Sequence, residues 1–271
     1  MKKINNIEVI AEIGWNHVGD MDLAKKMIES ASKNGASYAK FQSWSVDRLR
    51  PGSWDIDGRR QIYEKAELSE SKHIELMNHC DKNKIKFLSS VFSIDDAKLL
   101  KKLECESVKI PSFESRNTEL IKFCDENFER VFMSCGTSTF DEIKQSLSLY
   151  SKSNLTLLHC VSMYPCNYEN ANIKKMLELM KIHNSVGYSD HIQGVESAKI
   201  AIGVGAEVIE KHFTIDNDLP GRDNKFAILP EQLHDLSLFI QNREKMFIDY
   251  GLDFQEGEKD SRINYEGRFN G

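Results

Sequence analysis

The sequence predicts an α/β protein: a single (β/α)8 TIM barrel over residues 1–250, followed by a polar C-terminal tail over residues 251–271. Eight short apolar runs alternate with eight segments of helical periodicity. The chain has 271 residues, a common size for this barrel. An open, doubly wound sheet is the alternative, but the first turn, GWNHVGD, lacks the GxGxxG pattern typical of dinucleotide-binding folds of that kind.

The predicted strands are short apolar runs of β-rich composition. In order, they cover residues 9–14, 38–43, 86–92, 107–112, 130–136, 155–161, 185–190 and 207–213. The predicted helices follow because apolar residues recur there every three or four positions. They cover residues 21–34, 69–83, 94–103, 117–127, 140–152, 172–183, 193–205 and 230–247. Residues 44–68 are predicted to be the longest loop, at the carboxyl ends of the strands.

Composition excludes several classes of function. The formal net charge of −6 argues against nucleic-acid binding, which usually needs a basic face. No apolar run is long enough to span a membrane, and the N-terminal segment is predicted to be a strand and not a signal peptide. Six cysteines form no CxxC pair, so they are predicted to be reduced thiols of a cytoplasmic protein.

Two histidines predict a metal site. His191 ends one predicted strand and His212 the next, with a helical stretch between them. A strand, helix and strand of this length form a crossover in which the strands are parallel, so both imidazoles lie at one edge of the sheet. Two imidazoles at one edge can share a divalent cation.

Charged residues inside the predicted strands indicate an anionic ligand. Glu12, Lys40 and Lys109 lie in strands that a barrel buries, where an unpaired charge costs several kcal/mol. A lone lysine or serine near a strand end is more often simply solvated. Convergence of several at one mouth favours a binding site, because catalytic groups of such barrels come from the carboxyl ends of several strands.

The sequence resembles the sialic acid synthase (NeuB-like) family over roughly residues 8–235. The resemblance is carried by AEIGWNHVGD, YAKFQ, FLSSVF, VKIPSFE, SCGTST, LLHCVSMYP, VGYSDH, EKHFT and LPGRD, in the family's order. It implies an enzyme, a transferase that condenses phosphoenolpyruvate with the aldehyde of an N-acetylated aminosugar. The implied acceptor is N-acetylmannosamine or a diacetamido-trideoxyhexose, and the implied products are a sialic-acid-like nonulosonic acid and phosphate.

The resemblance also implies residue roles. The implied catalytic residues are Glu12, His191 and His212, and the two histidines are the implied ligands of Mn²⁺, Mg²⁺ or another divalent metal, which would polarise the aldehyde oxygen. The implied ligands of phosphoenolpyruvate are Lys40, Ser90, Lys109, Ser112, Ser134 and Ser189. The residues implied to face the sugar are Gln42, Tyr164 and Asp223. Asp190 is expected to orient a neighbour.

The sequence departs from the family pattern in two places. Ser162 stands where the family usually carries Asn. Family members usually continue into a small antifreeze-like domain, for which the 271 residues offer no counterpart. That domain is missing, removed or a separate protein, and in the last case it is an expected partner. A homodimer is also expected.

Two other functions stay open at this stage. One is condensation of phosphoenolpyruvate with a different aldose, as in the 3-deoxy-octulosonate phosphate synthases. A phosphorylated acceptor needs further basic residues, for which Arg59, Arg60 and Arg222 are the candidates. The other is a non-catalytic barrel that binds sugar, which is disfavoured because the implied metal and phosphate ligands are all present.

Overall fold

Eight parallel strands close into a barrel in chain order in the computed structural model, which describes residues 7–269. Their bounds are Glu8–Gly14 (β1), Tyr38–Ser43 (β2), Lys86–Val91 (β3), Ser107–Ile110 (β4), Arg130–Ser134 (β5), Asn154–Cys160 (β6), Val186–Asp190 (β7) and Val208–His212 (β8). The predicted fold is thereby confirmed. The predicted barrel range begins in residues 1–6, and the tail ends in residues 270–271; both lie outside the described residues.

The helices surround the barrel, and each predicted helix is present within a few residues. Their bounds are Met21–Lys33 (α1), Arg59–Ala66 (α2), Glu70–Lys82 (α3), Ile94–Lys102 (α4), Thr118–Asn127 (α5), Phe140–Leu147 (α6), Ile173–Met180 (α7), Glu196–Gly203 (α8), Pro230–Met246 (α9) and Lys259–Asn264 (α10). The last lies in an exposed C-terminal segment. Within residues 7–269, no helix combines the length and the apolar character that crossing a membrane requires.

The prediction of a loop over residues 44–68 was wrong in part. The segment contains α2 and two short 3-10 helices, Val46–Arg48 and Ser53–Asp55. Local periodicity is weak there, and the fold depends on aromatic contacts. Tyr63 of α2 packs edge-on against Trp15 at 5.6 Å and against Trp44 at 5.9 Å between ring centroids. The segment is therefore a structured wall of the barrel mouth.

The strand register determines which side chains enter the barrel. Glu12 pairs with Lys40 on β2 and with His212 on β8. Because side chains alternate along a strand, these three point inward together. One layer below, six buried apolar side chains fill the interior and close the floor: Ile10, Tyr38, Leu88, Phe132, Leu158 and Val208. The barrel is therefore open only at its carboxyl end, where the polar side chains lie.

Asp125 of α5 anchors the turn that leads into β6. Its carboxylate accepts backbone N–H groups of Ser151, Lys152 and Ser153 at 2.8–3.2 Å, together with two serine hydroxyls. Burial alone raises the pKa of Asp125, but these donors outweigh it and hold that pKa below its ordinary value near 3.8. The carboxylate form therefore stabilises the fold.

Asp125→Asn should lower the free energy of unfolding by about 2 kcal/mol at pH 7, because an amide nitrogen then faces N–H donors. A lowered folded-state pKa contributes stability above the unfolded value, which is lost as the pH falls through the folded value. The difference between wild type and variant should therefore shrink below about pH 4. Urea titrations at pH 7, 5 and 3 measure it, with exposed Asp81→Asn as control. An unchanged difference at pH 3 contradicts this account.

Candidate active site

The carboxyl end of the barrel holds a cavity of about 1010 Å³. All twelve predicted site residues line it: Glu12, Lys40, Gln42, Ser90, Lys109, Ser112, Ser134, Tyr164, Ser189, His191, His212 and Asp223. They come from seven of the eight strands and from the loops at the strand ends, and residues 44–68 supply part of the wall. The structure therefore brings together in one place side chains that lie up to 211 positions apart.

Four buried charges form the floor of the cavity. Lys40 Nζ lies 2.7 Å from Glu12 Oε2 and 3.6 Å from Glu210 Oε2. Lys109 Nζ lies 3.2 Å from Glu210 Oε2. All four side chains are almost fully inaccessible. Two lysines and two carboxylates balance in charge, which permits their burial.

The surroundings of the two carboxylates, Glu12 and Glu210, shift their pKa values in opposite directions. Burial opposes ionisation of Glu210, but Lys109 and Lys40 outweigh it and lower its pKa to about 2. Burial raises the pKa of Glu12, and the repulsion of Glu210 adds to this effect against the attraction of Lys40. Glu210 is therefore a fixed counter-ion, whereas Glu12 is the carboxyl that can exchange a proton nearer to neutral pH.

The lysines also differ. Burial lowers the pKa of Lys109, and Glu210 offsets this only in part. Burial opposes the charge of Lys40 too, but two nearby carboxylates, Glu12 and Glu210, raise its pKa. Lys40 is consequently a permanent cation, and an anionic ligand beside Lys109 would favour its charged form.

Serine hydroxyls surround the lysines. Ser90 Oγ accepts from Lys40 Nζ at 2.9 Å, and Ser189 Oγ donates to Glu210 Oε1 at 3.0 Å. Ser112 Oγ accepts from the backbone N–H of Gly136 at 3.1 Å. Ser134 Oγ is buried and has no hydrogen-bond partner, so it is available to a ligand.

The side chains around Gly136 leave no room for a Cβ atom at this position. A Cβ at that position would lie 2.4 Å from Ser162 Oγ and 2.8 Å from Ser112 Oγ. A larger residue would therefore displace a serine of the cavity wall. Ser162, where the sequence departs from the family pattern, lies near this contact, and its hydroxyl is 3.9 Å from Cys160 Sγ.

The two histidines lie side by side at the ends of the neighbouring strands β7 and β8. Their ring centroids are 5.4 Å apart. His191 Nδ1 donates to the carbonyl oxygen of Val161 at 2.8 Å, which leaves Nε2 without a proton in the neutral ring. Burial and the proximity of His191 lower the pKa of His212 well below its ordinary value. A neutral imidazole is the form that coordinates a metal.

These residues fit a divalent metal, although the ligand set is small. Among residues 7–269, no group of three or more His, Cys, Asp or Glu side chains is arranged to hold a metal ion. The imidazoles of His191 and His212 are the available protein ligands. Water and substrate oxygens must then complete the coordination, as at an open catalytic site.

The residues predicted to face the sugar lie toward the mouth. Gln42 Nε2 donates to Glu12 Oε1 at 2.6 Å. The Tyr164 ring lies 4.1 Å from that of His191 between centroids. Asp223 is buried, and its Oδ2 accepts from Trp15 Nε1 at 2.8 Å. Gln42 therefore connects this group of residues to the charged floor.

Gly14 permits the approach of Gln42 to Glu12. The register of β1 shifts between Glu12 and Gly14, and Gly14 has a φ of +55°. A Cβ there would lie 3.0 Å from Glu12 Oε1 and 3.2 Å from Gln42 Nε2. Glycine therefore suits both the left-handed backbone and the close contact.

Other polar residues of the strand ends point away from the cavity. Asp190 pairs with Lys211 at 3.1 Å, accepts from Ser197 Oγ at 2.6 Å and caps the turn at Ile192, as expected of a residue that orients a neighbour. His159 stacks on Tyr188 outside the barrel, opposite in direction to Cys160.

Sequence reasoning missed two residues of the site. Glu210 was given no role from the sequence, although it lies two positions before His212 and therefore on the same face of β8. Trp15 carried no signal, because its partner Asp223 is 208 positions away. The alternation along β8 was the signal that could have identified Glu210.

Arginines of the rim are largely neutralised by carboxylates. Arg59 holds Asp57 at 2.6 Å, and Arg60 holds Asp55 at 2.6 Å. Arg48 pairs with Asp96. Arg222 donates to the carbonyl oxygen of Tyr164 at 2.9 Å. Arg50 also lines the cavity, is exposed and has no ion pair among residues 7–269, so Arg50 and Arg222 are the rim cations open to a second anionic group.

Comparison with known proteins places this site in a family. The NeuB family profile matches residues 27–250. The chain is 36% identical to the N,N'-diacetyllegionaminic acid synthase of Campylobacter jejuni, covering 94% of this chain and 81% of that protein. It is 28% identical to the pseudaminic acid synthase of the same species, over 94% of this chain and 79% of that one.

A solved structure agrees with the sequence comparison. The N-acetylneuraminic acid (sialic acid) synthetase from Leptospira borgpetersenii, in complex with citrate, superposes with a TM-score of 0.87 and 30% identity, covering 98% of this chain and 93% of that one. The prediction of a transferase-type synthase is confirmed by these relatives. The chain belongs to the NeuB family.

Proposed function

We propose that the enzyme condenses phosphoenolpyruvate with the aldehyde of an N-acylated aminosugar to give a nonulosonic acid and phosphate. The observation that carries the proposal is the polarity of the cavity. Its floor has two buried lysines with serine hydroxyls around them, and its mouth has His191 and His212 beside Tyr164 and Asp223. An anionic substrate suits the floor, and a hydroxylated neutral one suits the mouth.

The floor supplies both charge and directed donors to phosphoenolpyruvate. Lys40 and Lys109 provide the cations for its phosphate and carboxylate. Ser134, with its buried and unpartnered hydroxyl, supplies a donor. Ser90, Ser112 and Ser189 lie beside it and can turn their hydroxyls toward ligand oxygens.

The mouth orients the acceptor aldehyde toward phosphoenolpyruvate. Gln42, Tyr164 and Asp223 are the groups for its hydroxyl and amide functions. His191 and His212 would hold Mn²⁺ or Mg²⁺, which supplies a Lewis acid for the aldehyde oxygen. The named relatives, which are synthases of legionaminic and pseudaminic acids, support a diacetamido-trideoxyhexose as acceptor alongside N-acetylmannosamine.

The bond changes balance with one water. C3 of phosphoenolpyruvate bonds to the aldehyde carbon, and the aldehyde oxygen takes a proton. Water adds to the cationic C2 and loses one proton. The bond from C2 to the phosphate oxygen then breaks, C2 becomes a ketone, and the remaining hydroxyl proton leaves with the phosphate. Glu12 is the carboxyl suited to proton transfer, because burial raises its pKa and it lies between the charged floor and Gln42.

A phosphorylated acceptor is the less favoured alternative. It requires free cations at the mouth, but Arg59 and Arg60 are held by Asp57 and Asp55. Arg222 lines the cavity and retains one backbone partner, Tyr164. Arg50 lines it too but is exposed, so these two arginines form a weaker phosphate site than the buried lysine and serine floor.

Incubation with Mn²⁺, phosphoenolpyruvate and a panel of sugars tests the proposal. We expect phosphate release that depends on an unphosphorylated N-acylated aminosugar and requires the metal, with mass spectrometry of the product identifying the acid. The panel includes the 6-phosphate of N-acetylmannosamine as a matched competitor. Each reaction is run with and without an added antifreeze-like domain. The absence of phosphate release with every sugar in both conditions would sink the proposal.

The compartment, the oligomeric state and the protein partner of the enzyme are also proposals. We propose a cytoplasmic homodimer that an antifreeze-like protein can assist. Six cysteines are present as free thiols, which suits a reducing compartment. Apolar side chains of the C-terminal segment, such as Leu252 and Phe254, are exposed and support a partner surface. Light scattering of the assayed sample measures the assembly.

A further inference from the structure

Trp15 lies directly after the end of β1, and its side chain reaches the loop that follows the neighbouring strand, β8. It is 8% exposed, and its Nε1 donates to Asp223 Oδ2 at 2.8 Å. The ring packs edge-on against Tyr63 of α2. The indole is therefore held in place from one side while its N–H points at a carboxylate of the candidate site.

The carboxylate that Trp15 holds is adjacent to a histidine. Asp223 Oδ2 lies 3.5 Å from His212 Nδ1. That nitrogen is buried and makes no hydrogen bond. Hydrogen bonds of catalytic groups are often long before substrates are bound and tighten afterwards. Asp223 is thus the acceptor toward which His212 Nδ1–H can turn.

We infer that Trp15 is a positioning residue: its indole N–H orients Asp223 so that Oδ2 faces His212 Nδ1, which leaves the other imidazole nitrogen to bind a divalent metal. The inference rests on the proposed function. Metal-binding histidines commonly donate their second N–H to a carboxylate, which fixes the tautomer and the ring orientation. Here the carboxylate is itself fixed by a third group, 208 positions earlier in the chain.

Trp44 offers a matched comparison within the same wall. Its ring packs edge-on against Tyr63, as that of Trp15 does. Its Nε1 is buried but has no hydrogen-bond partner. Replacing either tryptophan with Phe keeps an aromatic ring and removes an N–H. Only the change at Trp15 removes a hydrogen bond to Asp223.

Mn²⁺ binding to the full chain, measured by electron paramagnetic resonance without substrates, tests the inference. Trp15→Phe should raise the Kd for Mn²⁺ about tenfold, because partners of metal ligands typically contribute 10–100-fold to affinity. Trp44→Phe should leave the Kd within about twofold of wild type. Equal Kd values for Trp15→Phe and wild type, in samples with matched melting temperatures, overturn the inference.

A double-mutant cycle separates positioning from general damage. If Trp15 acts through Asp223, then Trp15→Phe should weaken Mn²⁺ binding no further in an Asp223→Ala background. If the losses of Mn²⁺ affinity caused by Trp15→Phe and by Asp223→Ala add up in the double variant, the inference is overturned. This holds even where Trp15→Phe alone binds Mn²⁺ weakly. A wild-type enzyme that binds no Mn²⁺ overturns the metal assignment of the proposed function and this inference with it. Wild-type binding with an unaffected Trp15→Phe overturns the inference alone.

Discussion

His212→Ala should abolish turnover, lowering kcat/KM at least about a thousandfold, while the chain stays folded. A loss of this size corresponds to about 4 kcal/mol of transition-state stabilisation. That is the range expected when a Lewis acid at a carbonyl oxygen is lost. His212 is the residue of choice because its side chain is buried at the cavity wall and its low pKa keeps it neutral.

The folded state should survive this change for an electrostatic reason. A neutral imidazole leaves no unpaired charge behind when it is removed, and His212 Nδ1 has no hydrogen bond to lose. The cost is the lost packing against Phe226 and Tyr164, whose ring centroids lie 5.0 and 6.0 Å away. We expect a loss of stability of about 1–3 kcal/mol.

Steady-state kinetics at saturating phosphoenolpyruvate and Mn²⁺ measure the effect, and circular dichroism verifies the fold. His234→Ala is the control, because His234 lies exposed on α9, away from the cavity. Its kinetics should match those of wild type. Substantial turnover by folded His212→Ala would show that the histidine assignment is wrong.

Glu210→Gln should destabilise the fold by about 3–5 kcal/mol, the cost typical of breaking a buried ion pair from one side. Glu210 is the carboxylate partner of Lys109 in the structure and also lies beside Lys40. Its removal leaves two buried lysines with one carboxylate, Glu12. The pKa of Lys109, already lowered by burial, should fall further, so part of the cost is relieved by loss of its proton.

The same variant should respond more strongly than wild type to anions. In the wild-type floor the charges balance, so a ligand adds net negative charge. In Glu210→Gln the floor carries an excess cation, or a lysine ready to take a proton, and an anion restores the balance. Phosphoenolpyruvate or inorganic phosphate should therefore raise the melting temperature of the variant by more than that of wild type.

Thermal denaturation across a range of phosphoenolpyruvate concentrations measures this difference. Glu178→Gln is the matched control, because Glu178 forms an exposed ion pair with Lys181 at 2.7 Å. Exposed pairs contribute about 0–1 kcal/mol, so this variant should behave like wild type. If the anion shifts the melting temperatures of Glu210→Gln and wild type equally, the floor is not where phosphoenolpyruvate binds.

Much of the candidate site follows from local sequence patterns. In a closed parallel barrel all carboxyl ends of the strands meet at one mouth, so a residue at a strand end is placed without knowledge of distant contacts. Lys40, Lys109, His191 and His212 were predictable on this basis, because alternation within each strand determines which side chains face inward. Their roles are inferred from the family resemblance, and the experiments proposed above test them.

Three features needed the tertiary structure. The segment at residues 44–68 folds through contacts of Tyr63 with Trp15 and Trp44, which no local periodicity encodes. Glu210 becomes a counter-ion because the closed barrel brings Lys109 of β4 and Lys40 of β2 to its carboxylate.

The third feature is the contact between Trp15 and Asp223. It joins the turn after β1 to the loop after β8, which meet only when the barrel closes. By itself, the sequence determined the strands, their inward faces and the polar mouth, because these depend on neighbours within a few positions. The charge balance of the floor and the orientation of His212 depend on contacts between distant strands and loops, so only the tertiary structure decided them.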